Sequence, residues 1–73
     1  MPRLLSAQRV LRALSRAGFE VVSQRGSHIK LKKPVEGGEL VVILPDHREL
    51  AEGTLASVLR QARLSREDLE RLL

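Results

Sequence analysis

Gly26-Ser27-His28 leads into Ile29-Lys30-Leu31-Lys32, and this stretch holds the side chains best suited to chemistry. Side chains along a β-strand alternate between its two faces. In a strand opening near Ser27, Ile29 and Leu31 point one way, and His28, Lys30 and Lys32 the other. The apolar pair belongs to a core. The opposite pleat carries an imidazole and two ammonium groups in a row. An imidazole can move a proton near neutral pH while fixed cations neutralise phosphate charge, so the trio suits acid–base work on a phosphodiester. His28 reads equally as a turn histidine with no task, and both readings stay open on these residues alone.

Other candidates are weaker. Ser27 neighbours His28 but faces the other way on the strand, so His28 is badly placed to act as its base, and a turn-stabilising hydroxyl is the better reading. His47, in Pro45-Asp46-His47, can pair with Asp46 or approach His28 from the end of the third strand. It also reads as an exposed loop histidine. Two histidines at no ligand spacing, scattered acids and no cysteine give no basis for a metal, and no phosphate-binding glycine motif is present. No cofactor is expected. Phe19 is the only aromatic residue and belongs to the core, so no platform exists for stacking bases. Any RNA contact must run through phosphates, shape and ribose hydroxyls.

The elements that position these groups follow from periodicity. Ser6 reads as the N-cap of a helix through Ala17 that Gly18 closes. Ala7, Val10, Leu11, Leu14 and Ala17 share its apolar face, and Arg9, Arg12 and Arg16 form a stripe nearly opposite. Phe19 to Gln24 reads as the first strand with Phe19 and Val21 inward, and Arg25-Gly26 as its turn. The second strand runs from Ser27 to about Lys32. Pro34 to Glu39, with Gly37-Gly38 at its tip, reads as a flexible hairpin connection. The third strand, Leu40 to Leu44, turns Leu40, Val42 and Leu44 inward before Pro45 stops it. Pro45 to Gly53 is polar and irregular. A helix then starts at Gly53-Thr54 with Leu55, Val58, Leu59 and Ala62 on one face. Ser65-Arg66-Glu67-Asp68 resembles a capping box opening a last short helix with Leu69, Leu72 and Leu73. The expected fold is an α+β meander, α-β-β-β-α with a terminal helix, its three-stranded antiparallel sheet covered on one face.

Length and charge set the outer bounds. The 73 residues point to one domain, 1–73, with a thin core, and 42% hydrophobic content is too high for a disordered chain. The longest apolar run, Leu40 to Leu44, is too short for a bilayer, and a cytoplasmic protein without a signal peptide is the expectation. Residues 1–33 hold eight Lys and Arg, including Arg3, against Glu20 alone, a balance of +7. Residues 34–73 hold five arginines against eight acids, a balance of −3. A basic front half favours a polyanionic partner, although an arginine stripe is also an ordinary solvated face.

The phrases Ala17-Gly18-Phe19-Glu20-Val21-Val22, Gln24-Arg25-Gly26-Ser27-His28 and Glu52-Gly53-Thr54-Leu55, the last leading into Val58-Leu59-Arg60-Gln61-Ala62, resemble the HicA toxin family. Leu64-Ser65-Arg66-Glu67-Asp68-Leu69 fits it too. The resemblance covers roughly Ser6 to Leu73. It implies a double-stranded-RNA-binding-domain-like fold and an RNA-cleaving toxin that blocks translation, masked by a HicB antitoxin. The family's essential histidine follows the Gly-Ser pair, which is His28 here. Many members carry a second histidine directly after the first, where this chain has Ile29. Many also carry one at the end of the third strand, where it has Pro45.

The expected function is therefore a metal-independent endoribonuclease toxin of a toxin–antitoxin pair. His28 would act as general base or acid, and Lys30, with Lys32 and Arg25, would stabilise charge on the phosphate. Arg25, Gly26 and Ser27 at the turn and Arg9, Arg12 and Arg16 on the first helix would contact RNA backbone without reading sequence. The expected partners are mRNA and a HicB-like antitoxin, with no membrane, the chain being a monomer when free. The alternative is a non-catalytic RNA-binding module of the same fold.

Overall fold

The computed structural model describes residues 4–73. Arg3, counted in the basic half, lies outside them. Six elements follow in order: α1 (Ala7–Arg16), β1 (Glu20–Arg25), β2 (His28–Val35), β3 (Gly38–Pro45), α2 (Glu52–Ala62) and α3 (Arg66–Leu72). The sheet has the order β1-β2-β3 with both pairings antiparallel. The double-stranded-RNA-binding-domain-like order α-β-β-β-α, followed by a terminal helix, is the one expected from the chain.

Local chemistry explains the boundaries. The Ser6 hydroxyl accepts the Arg9 N–H at 3.2 Å and so caps α1. Gly18 ends it with φ +100°, a conformation that side chains rarely adopt, and Lys33 lies across the space a Cβ would need. The Ser65 hydroxyl accepts the Asp68 N–H at 3.0 Å while the Asp68 carboxylate accepts the Ser65 N–H at 2.9 Å, completing the capping box of α3. α2 starts at Glu52, one residue before the expected Gly53, with Ala51 at its N-cap and no side chain closing it.

The core lies on one side of the sheet. Ile29, Leu31, Val42 and Leu44 from β2 and β3 pack with Val10 and Leu14 of α1, Leu55, Val58 and Leu59 of α2, and Leu69 of α3. Phe19 is buried as expected, and Lys33 sits over its ring, 5.7 Å from the centroid.

Several expectations need correction. Val21 does lie on the core side of the sheet, opposite Leu31, but is 48% exposed rather than buried, because β1 forms the sheet's outer edge while the helices pack nearest β3. Arg25 belongs to β1 and pairs with His28, so the turn is Gly26-Ser27. Residues 34–39 are not a loose connection: Pro34 pairs with Glu39 and Val35 with Gly38 around a tight turn. β1 pairs only as far as Lys32, so Pro34 sits where β2 has a neighbour on one side only, a position proline tolerates. The segment after β3 is also better anchored than its polarity suggested. Leu50 is buried and its N–H donates to the Leu5 carbonyl at 2.8 Å, while Ala7 N–H donates to the His47 carbonyl at 2.9 Å. A single leucine in a polar stretch has no periodicity to betray it.

Candidate active site

The outward pleat is built from cross-strand rows. His28 stands between Arg25 of β1 and Pro45 of β3, Lys30 between Ser23 and Ile43, and Lys32 between Glu20 and Val41. Directly opposed residues share a face. His28, Lys30 and Lys32 therefore project together, away from the core that Ile29 and Leu31 enter.

Ser23 and Arg25 reach that face through an irregularity. Val21 pairs with Leu31 on the core side, yet Ser23 pairs with Lys30, so Val22 is an extra residue in β1. Strict alternation from Val21 would send Ser23 and Arg25 toward the helices. The bulge at Val22 turns both to the outward side, the kind of re-aiming that bulges produce beside functional surfaces.

Two depressions open on this face, and His28 and Ile43 line both. One, about 310 Å³, adds Ser23, Arg25 and Lys30, and is cationic. The other, about 390 Å³, runs between the pleat and α2, where Thr54, Ser57 and Gln61 meet Pro45. α2 is held beside β3 by the Gln61 amide: its oxygen accepts the Ile43 N–H at 2.8 Å and its nitrogen donates to the Ser57 hydroxyl at 3.2 Å. His28 is exposed but is not on an open sheet clear of every helix, as strand alternation alone suggested. It stands at the mouth of a groove with α2 for its far wall.

The turn before His28 is braced. The Asp46 N–H donates to the Ser27 carbonyl at 2.6 Å, and the Asp46 carboxylate accepts from Gln8 of α1 at 3.2 Å. The Gln24 amide donates to the Gly26 carbonyl at 3.2 Å. Gly26 has φ +55°, so glycine suits the turn. His47 lines neither depression; its backbone joins the loop to α1.

The remaining candidate cations separate from His28. Lys32 pairs with Glu39 at 3.2 Å, which offsets its charge, and it lines neither depression. Arg9, Arg12 and Arg16 project from the exposed side of α1, away from its buried face, and line neither depression beside His28. Arg16 donates to the Leu72 carbonyl at 2.6 Å and so ties α1 to the end of α3. Lys30, Arg25, Arg9 and Arg12 have no carboxylate partner among the described residues.

Sequence reasoning missed Ser23, Ile43, Thr54, Ser57 and Gln61. Thr54, Ser57 and Gln61 do carry a signal, an uncharged polar stripe at helical spacing flanking the apolar face of α2. Ser23 carries none, because a bulge put it there.

The family described as HicA toxin of bacterial toxin–antitoxin matches residues 7–64. The chain belongs to the HicA toxin family. No curated protein matches it. Membership makes the chain a toxin-family member with an antitoxin as its partner class. Against the HicA pattern, Ile29 stands in the core, so a hydrophobic residue is apt at the position where many members have a second histidine. Pro45 matters more. It is the direct cross-strand neighbour of His28, so the histidine that many members carry at this position would stand beside His28 on the same face. Among the described residues no helix is long and apolar enough to cross a membrane, and no three His, Cys, Asp or Glu side chains converge as a metal set.

Proposed function

We propose that this chain is a metal-independent endoribonuclease toxin, acting in the cytoplasm on mRNA to block translation and restrained by a HicB-like antitoxin. Residues 1–73 serve as one HicA-like domain, since Leu69, beyond the matched segment, packs in the same core as the rest. The observation that carries the reading is an exposed imidazole sharing a depression with Arg25 and Lys30, two cations without carboxylate partners among the described residues. In the proposed reaction the ribose 2′-oxygen attacks the adjacent phosphorus. The O2′–P bond forms as the P–O5′ bond breaks. His28 takes the proton from the 2′-hydroxyl while water supplies the proton that the 5′-oxygen gains, or His28 supplies the latter while water takes the former. Lys30 and Arg25 stabilise charge on the phosphoryl oxygens. Gly26 and Ser27 let the turn backbone approach the strand, and Lys32, Arg9, Arg12 and Arg16 add contacts to phosphates further away.

His28→Ala tests this directly. RNA cleavage by purified protein, with chelator present, is expected to fall about a hundred- to ten-thousandfold, with growth inhibition lost in parallel. The exposed position of His28 leaves the fold intact. Undiminished cleavage by the variant rejects the assignment. Pro45 opposite His28 favours a second reading, an RNA-binding module without cleavage, because the neighbouring histidine is absent. RNA bound but left uncut by the wild-type protein selects it.

A further inference from the structure

The two depressions beside His28 differ in chemistry, and that difference has a direction. The side toward β1 presents Arg25, Lys30 and the Ser23 hydroxyl. The side toward α2 presents Thr54, Ser57 and Gln61 with an apolar wall from Pro45 and Ile43, and no charged side chain. Their volumes, about 310 and 390 Å³, fall at the small end of the range for ligand sites, about 300–1,000 Å³. RNA alternates an anionic phosphate with an uncharged base and ribose. A cationic depression adjoining a neutral one, with the imidazole on their shared rim, matches one such step.

Resting on the RNA-cleaving reading of His28, we propose that the groove between β3 and α2 is a nucleoside subsite, with the neighbouring phosphate held at Arg25 and Lys30. Ser57 and Thr54 are its specificity-determining residues. The side-chain oxygen of Gln61 is occupied by the Ile43 N–H, and its nitrogen donates to the Ser57 hydroxyl. Ser57 therefore already accepts a bond, which leaves its own proton to donate into the groove. The Thr54 hydroxyl, half-buried, has no protein partner among the described residues. The Ser57 donor selects a base edge that presents a carbonyl or ring-nitrogen acceptor, and Thr54, free to donate or accept, completes the pairing. Pro45 and Ile43 supply flat apolar contact to the base face, which lets a surface without aromatic residues hold a nucleoside.

Gly53 provides a test that spares the fold. It lines the groove, a Cβ added there meets no heavy atom within 4 Å, and leucine is the better helix former. The probe is a fluorescently labelled single-stranded RNA, titrated against His28→Ala protein so that it stays intact, with and without Gly53→Leu. The added side chain is expected to weaken binding about tenfold, with Tm held or raised by the better helix former and the salt dependence of binding unchanged because no phosphate contact is lost. In active protein, Ser57→Ala is expected to shift the preference among bases beside the cut about three- to tenfold, the worth of one hydrogen bond. Unchanged binding with Gly53→Leu, or an unchanged cutting pattern with Ser57→Ala, overturns the proposal. The nuclease reading is judged apart, by whether the wild-type protein cuts RNA. Cleavage together with normal Gly53→Leu binding removes the groove alone. Weakened binding without any cleavage keeps the groove and removes the nuclease.

Discussion

On the outward pleat, Lys30 and Arg25 stand around an exposed imidazole and two adjoining depressions. On α1, Arg9 and Arg12 stand on the convex side of a helix, and Arg16 is already engaged with the end of α3. Both surfaces are basic, and charge alone does not separate them. What separates them is concavity and company. A depression holds a phosphate at a defined place relative to a proton carrier, so its cations can act on developing charge. A helical stripe offers only attraction, which depends on salt and tolerates any phosphate spacing. The pleat also differs from its own continuation: Lys32 shares the face but is paired with Glu39, two rows from His28.

This contrast can be broken by experiment. After His28 itself, the largest effect is expected from Lys30→Ala, about a hundredfold in the rate of RNA cleavage at saturating RNA, as for loss of one stabilising donor. Lys32→Ala assayed alongside is expected to change that rate by no more than a few fold; equal losses at the two positions would erase the distinction between them. Replacing Arg9 and Arg12 together with serine should act on binding instead. Affinity for single-stranded RNA should drop several fold, and the slope of log affinity against log salt should flatten by about 1.4, two contacts at roughly 0.7 each. A changed maximal rate in that double variant would join α1 to the reacting centre.

The smallest expected effect lies away from both surfaces. The Asp68 carboxyl is held below its ordinary value of 3.8, first by the Ser65 backbone N–H, then by the Ser65 hydroxyl and Arg71. A depressed folded-state pKa gives stability that is present above 3.8 and is lost as the pH falls through the lower folded-state value. Asp68→Asn should therefore flatten the decline of Tm between about pH 5 and pH 2, leaving the cleavage pattern unaltered. Ser65→Ala should cost about 1 kcal/mol near neutral pH by loss of the cap, measured by thermal or denaturant unfolding.

Much of this arrangement was legible in the chain because it is local. Ser6 and the Ser65–Asp68 box marked helix starts, Gly18 marked an end, and the apolar faces of α1 and α2 followed from helical spacing. The alternation of β2 alone placed His28 with Lys30 and Lys32, opposite Ile29 and Leu31. Those judgements need only backbone geometry and burial, which act over a few residues. Failures fell where a distant segment intervened. Val21 lost its cover because β1 lies at the sheet's edge. The turn moved by one residue because Arg25 found a partner in His28.

What the sequence determined by itself was which side chains can share a face within one element, and hence the histidine and its lysines. Only tertiary structure decided what joins them. The bulge at Val22 brings Arg25 and Ser23 round to that side, and the Gln61 bond to the edge of β3 holds α2 beside His28 to make a groove. Glu39 claims Lys32, and Leu72 claims Arg16. The reason is physical: periodicity is a property of neighbours along the chain, whereas a strand's register and a helix's seat are settled by partners far away in it.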